Sequence, residues 1–126
     1  FMTTIKGRKI SWGKYIKRRK KRKCELAGQK RIVKLGEEKR RSKRTLGGNK
    51  KTFLLKSKLV NVTIHENKAT KTKKVEIKNV IETPSNRFLA RQNIITKGTI
   101  LDTEIGRVKV TNRPAQEGVI NGILIE

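Results

Sequence analysis

The sequence predicts an all-β fold: a small antiparallel barrel, closed or partly open, with a basic N-terminal extension that lacks its own core. Three observations lead there. From about residue 31 onward, short runs alternate apolar and polar residues, separated by breaks rich in Gly, Asn and Pro. Residues 1–30 hold few large apolar groups among many cations. The 126-residue chain has a formal net charge of +24, with +11 in residues 1–30 and +9 in residues 31–58.

The extension comes first. Ile5, Ile10, Trp12, Tyr15, Ile16 and Leu26 are scattered among its charges. They supply too little buried surface to offset an ordering cost of about 1–2 kcal/mol per residue. The segment is therefore expected to order on a partner. A short helix over residues 13–23 is compatible with the composition. The run "KRRKKRK" at 17–23 opposes it in free solution, because like charges at i,i+4 repel.

Residues 31–35 alternate as a strand and stop at Gly36. "LGGNKKTFLL" sets Gly47-Gly48-Asn49 between basic strands at 40–46 and 51–55, a hairpin signature. "KLVNVTIH" puts Val60, Val62 and Ile64 on one face. "ENKATK" interrupts, and "KKVEIKNVI" resumes with Val75 and Ile77, forming a second hairpin. Thr83-Pro84-Ser85-Asn86 is a turn cluster. "NIITKGTILDTEIG" reads as two β-rich runs hinged at Lys97-Gly98. "RVKVTN" aligns Val108 with Val110, Pro114 and Gly118 punctuate "RPAQEG", and "VINGILIE" is an apolar strand. The expected division is residues 1–30 as extension and 31–126 as barrel domain. Barrel closure would remove exposed sheet edges.

Charge of this size and clustering works against compaction, and a polyanion relieves it. The composition thus points to nucleic acid. Contacts are expected from Lys6, Arg8, Lys9, Lys14, Lys17, Arg18, Arg19, Lys20, Lys21, Arg22 and Lys23 in the extension. Trp12 and Tyr15 lie among them, either to stack on unpaired bases or to pack on the domain. Lys39, Arg40, Arg41, Lys43, Arg44, Lys50 and Lys51 flank the turn formed by Gly47, Gly48 and Asn49, where backbone can approach phosphate closely.

Catalytic constellations are not legible. His65 is the single histidine and Cys24 the single cysteine, so neither an intrachain disulfide nor a zinc site of the usual ligand set can be assembled from this chain. Cys24 and His65 read as an incidental thiol and ring, not a nucleophile pair. Asp102 and Glu104 alternate on one predicted strand and balance Arg107 and Lys109 or face solvent; two carboxylates are only the start of a Mg²⁺ site. No phosphate-binding loop of the G-x-x-x-x-G-K-[ST] form occurs. Asn61-Val62-Thr63 fits a glycosylation sequon, but no secretory signal accompanies it. No apolar run approaches the roughly 20 residues that span a bilayer. The expectation is a non-enzymatic chain with no cofactor, no metal, no membrane contact and no small-molecule substrate.

"KRKCELAGQ", "KLGEEKRR", "LGGNKK" and "RQNIITKGTILDTEIGRVKVTNRPAQEGVINGILIE" together resemble the archaeal and eukaryotic S8e family of small-subunit ribosomal proteins. The likeness runs from about Gly7 to Glu126, and the short length resembles the archaeal form. The resemblance implies a β-barrel body whose basic extension threads into small-subunit ribosomal RNA. It implies neighbouring ribosomal proteins as partners and a cytoplasmic, ribosome-bound location. The family's opening glycine–basic step maps to Gly7, Arg8 and Lys9, its basic run to residues 17–23, and its glycine turn to Gly47, Gly48 and Asn49. An assembly factor sharing the domain, or a metal-dependent nucleic-acid-processing enzyme, are the alternative functions.

Overall fold

The computed structural model describes residues 7–15, 19–66 and 69–125. In chain order the elements are β1 (Lys34–Leu35), β2 (Lys39–Arg44), β3 (Lys50–Ser57), β4 (Leu59–Glu66), β5 (Ala69–Glu82), α1 (Arg87–Arg91), β6 (Ile100–Thr103), β7 (Arg107–Val110), α2 (Pro114–Glu117) and β8 (Asn121–Ile125). Strands β4 to β8 close into a five-stranded barrel.

The barrel is antiparallel, as expected, except at its seam. Four of its five pairings are antiparallel, but β4 and β8 meet in parallel, with Asn61 opposite Asn121 and Thr63 opposite Ile123. The two Asn side chains clasp across the seam at 3.0 Å. Asn121 can also only sit there because Asn112 braces it. Asn112 Oδ1 accepts from the Asn121 N–H (3.0 Å), and its Nδ2 donates to the Val119 carbonyl (2.7 Å).

The alternation read from sequence is the core of the barrel. Val60 and Val62 of β4, Leu101 of β6, and Val108 and Val110 of β7 are all buried. On β5 the inward set is Val75, Ile77 and Val80, which breaks strict alternation. A register shift between Ile77 and Asn79 absorbs the extra residue, as a β-bulge does. On β8 Gly122 is buried and Leu124 packs partly against the core, while Ile123 and Ile125 are exposed on the outside. A Cβ at Gly122 would overlap the Val108 side chain and lie 2.9 Å from the Lys109 carbonyl oxygen. The barrel is narrow enough here to require glycine.

The basic hairpin does not join the barrel. β1, β3 and β2 form a separate three-stranded sheet in that spatial order, with β1 parallel and β2 antiparallel to β3. Ser57 makes the corner between sheet and barrel: its Oγ donates to the Leu59 carbonyl and accepts from the Leu59 N–H, both at 3.1 Å. Val33 and Leu54 from this side share one apolar cluster with the barrel residues.

Three further differences have local causes. Residues 31–33 lie outside any strand, and only Lys34–Leu35 pair as one. "NIIT" is not a strand: Ile94 makes an isolated bridge to Lys34, and Ile95 N–H donates to the Val33 carbonyl (2.9 Å). Both isoleucines are buried there, so the apolar run reflects burial, not a ladder. Two helical turns occur where turns alone were expected. Asn86 caps α1 by accepting from the Phe88 N–H (3.0 Å), and Pro114 opens α2 at a position where its missing N–H costs nothing.

Candidate nucleic-acid interface

Lys6, Lys17 and Arg18 lie outside the described residues. So does part of the helix considered for residues 13–23. Its described part, 13–15 and 19–23, is non-helical except that Lys23 opens a 3-10 turn, Lys23–Glu25. Like-charge repulsion accounts for the non-helical backbone of residues 19–22.

The described extension, residues 7–15 and 19–30, is exposed throughout. Its first part is folded locally into a miniature hairpin. Arg8 and Lys14 form an antiparallel bridge, Lys9 N–H donates to the Gly13 carbonyl (3.0 Å), and Trp12 N–H donates to the Lys9 carbonyl (2.8 Å). Arg8 Nη1 adds a bond to the Trp12 carbonyl at 3.2 Å. Trp12 sits at the tip with φ of 60°, a conformation that a bulky residue rarely adopts. Its ring is 78% exposed and Tyr15 is 51% exposed. Exposure of this degree is what stacking on unpaired bases requires. Lys9 Nζ lies 5.9 Å from the Tyr15 ring centroid, so cation and aromatic face share one patch.

Arg19, Lys20, Lys21, Arg22 and Lys23 follow, all exposed. The one acid of the extension, Glu25, folds back on this run. It accepts from Arg19 Nη2 (2.8 Å) and the Arg22 N–H (2.9 Å). The Arg19 guanidinium first, and the Arg22 N–H second, hold the Glu25 carboxyl below the usual carboxylate range, against a small opposing effect of desolvation. Cys24 beside it is exposed.

The second basic element is the β2–β3 hairpin. All six residues of β2 are exposed: Lys39, Arg40, Arg41, Ser42, Lys43 and Arg44. Register places cation against cation: Lys39 opposite Lys56, Lys43 opposite Lys51, and Arg44 opposite Lys50. Directly opposed like charges destabilise a strand pair. Arg40 is paired with Glu38. Among the described residues, no carboxylate pairs with Lys39, Arg41, Lys43, Arg44, Lys50 or Lys51. β2 is also an edge strand, so this positive row faces outward.

The hairpin tip is tightly built. Thr45 N–H and Oγ1 both donate to the Asn49 carbonyl (2.6 and 3.0 Å), and Asn49 Nδ2 donates to the Leu46 carbonyl (3.3 Å). Gly47 and Gly48 have φ of 76° and 77°, which explains the glycine pair. Leu46, at the tip, is 96% exposed. Sequence reasoning treated Leu46 as the end of a strand, and it also missed Arg31, Lys97 and Arg113. These three line a pair of adjoining clefts on the barrel flank. Isolated basic residues in mixed sequence carry no signal until the fold gathers them.

Asp102 lies opposite Arg107 across β6 and β7, and Glu104 is exposed beyond the end of β6. Among the described residues, no group of three or more His, Cys, Asp or Glu could hold a metal ion. No helix among them is long and apolar enough to cross a membrane.

Fold and charge together define a class: a small β-barrel protein carrying a polycationic hairpin and a polycationic N-terminal arm. The family profile described as ribosomal protein S8e matches residues 3–125. The chain is 48% identical over 121 residues to the "Small ribosomal subunit protein eS8" of Staphylothermus marinus, covering 94% of this chain and 92% of the relative. It is 40% identical over 119 residues to the protein of the same name from Methanosarcina barkeri, covering 94% of each. The Nanoarchaeum equitans protein of that name is 45% identical over 108 residues, covering 86% of this chain and 84% of its own length. The chain belongs to the ribosomal protein S8e family.

Proposed function

We propose that the chain is a structural component of the small ribosomal subunit that binds ribosomal RNA and neutralises its phosphates. One observation carries the reading: at three positions cation faces cation across the β2–β3 hairpin, and among the described residues no carboxylate pairs with any of these six side chains. Such an arrangement is relieved by an external polyanion. The barrel then acts as a rigid mount. It holds the hairpin and the arm, taken to run to about residue 30, at a fixed spacing. Residues from about 31 to 126 serve as the body. Trp12 and Tyr15 stack on unpaired bases, and the lysines and arginines fix register on the backbone. Its family relatives, named as small-subunit proteins, support this assignment and the ribosome as its cytoplasmic location. Neighbouring ribosomal proteins are its other expected contacts. It acts without catalysis or cofactor.

Sedimentation tests the assignment. The chain is expected to travel with mature small subunits through a sucrose gradient of source-cell lysate. Recovery only with immature particles would replace the structural role with a role in assembly. Recovery only in the soluble fraction would reject both.

A further inference from the structure

Between α1, α2 and residues 30–33, the flank of the barrel holds a cleft that the phosphate-neutralising role leaves unused. Its volume is about 510 Å³, within the range of small-ligand sites. The floor is apolar: Val33, Leu89, Ile94, Ile95, Pro114 and Ala115. The rim is cationic: Lys30, Arg31, Lys97 and Arg113. A second cleft of about 570 Å³ shares Arg31, Arg113 and Gln116 with the first and adds Lys51. Among the described residues, Glu117 is the only acid lining either.

The walls are fixed. Ile95 N–H donates to the Val33 carbonyl (2.9 Å) and Leu35 N–H to the Asn93 carbonyl (3.0 Å), stitching one wall to the floor. Asn86 caps α1, which presents Leu89. The Arg31 guanidinium stacks on Phe53, 3.9 Å from the ring centroid. That stacking holds the guanidinium plane and leaves its N–H edge for an anion.

We propose that this cleft receives one unpaired RNA nucleotide, its base on the apolar floor and its flanking phosphates on Arg31, Lys51, Lys97 and Arg113. An apolar protein segment would also fit the floor, but nothing in it would answer four or five rim cations. A nucleotide joins a planar apolar face to anionic ends, and the cleft offers the complement of both. The inference rests on the RNA-binding reading above. It gives the barrel a site for recognising RNA shape in addition to the charge supplied by hairpin and arm.

Two RNA hairpins test it, alike except that one carries a single bulged uridine in its stem. In a Trp12→Ala/Tyr15→Ala background, which removes the arm's own stacking rings, the full-length protein should bind the bulged hairpin roughly 10- to 150-fold more tightly, the range that burying one side-chain-sized apolar group supplies. Ala115→Glu, which places a carboxylate in the cleft, should abolish that preference and leave the paired hairpin bound within twofold. Ala115 packs against the core, so Ser85→Trp, on the exposed lip, is the second variant. With 4-thiouridine at the bulge, photocrosslinks should fall in residues 89–97 or 113–116. Equal affinity for the two hairpins, a preference that survives in Ser85→Trp, or crosslinks confined to β2 and β3 would each overturn the site while leaving RNA binding intact. Failure to bind either hairpin would overturn the RNA reading itself.

Discussion

Replacing Lys43, Arg44, Lys50 and Lys51 together with Gln should move folding stability and RNA affinity in opposite directions. The four residues form two opposed pairs, Lys43 with Lys51 and Arg44 with Lys50. All are exposed, so solvent screens each pair, and relief of repulsion is worth a few tenths of a kcal/mol per pair. The free protein should therefore melt slightly higher at low salt, with the gain fading as salt rises. RNA binding should weaken. If each cation meets a phosphate, the salt slope falls by about 0.7–0.9 per residue, or roughly 3 in all. Over a fourfold rise in salt, the wild type should then lose about 60-fold more affinity than the variant. Urea unfolding of the free chain and filter binding to ribosomal RNA, both across a salt series, give the two readings. A variant that is less stable and keeps the wild-type salt slope would refute the reasoning. Its cations would then be structural and not held in reserve for phosphate.

Other outcomes follow from single positions. Gly122→Ala should lower the melting temperature by roughly 5–20 °C, because the added methyl meets Val108 and the Lys109 carbonyl inside a closed barrel; a change under about 2 °C would show that the barrel yields there. Trp12 is the chain's single tryptophan, so its emission should change on titration with RNA containing unpaired bases but not with a blunt duplex. Trp12→Ala should cost about 5- to 150-fold in affinity for the former only. Glu25 should titrate below the usual carboxylate range, since Arg19 and the Arg22 N–H favour its charged form. A depressed carboxyl pKa means the contact is complete above the ordinary range and is lost as pH falls through the depressed value. Followed by NMR at the Glu25 carboxyl, the midpoint should rise in Arg19→Gln; an unchanged midpoint would remove Arg19 as the cause.

The exposed Trp12 tip shows how sequence and structure divide the account of the interface. Its position among cations was visible in the chain, and it left stacking and packing equally open. The local hairpin leaves Trp12 78% exposed, as stacking requires, and the RNA titration of its emission is what separates the two roles. The glycine turn was legible because positive φ demands glycine, wherever the rest of the protein lies. Leu46 beside it was not, because an apolar residue next to a turn looks the same whether it is buried or at a tip. Arg31, Lys97 and Arg113 were invisible as a group for a similar reason. They come from three separated stretches, and no pattern within a window of sequence links them.

The chain alone determined what depends on near neighbours: alternation with period two, glycine where the backbone turns left, and a first stretch of about 30 residues too charged and too poor in apolar groups to build a core of its own. These are local because side-chain direction and backbone preference repeat within a few residues. Tertiary structure decided what depends on distant partners. It set the parallel seam between β4 and β8, kept the basic hairpin off the barrel, required glycine at position 122, and gathered the rim of the lateral cleft. Each of these is a meeting of segments far apart in the chain, settled by which surfaces can be buried together. A chain's neighbours in sequence do not specify that choice.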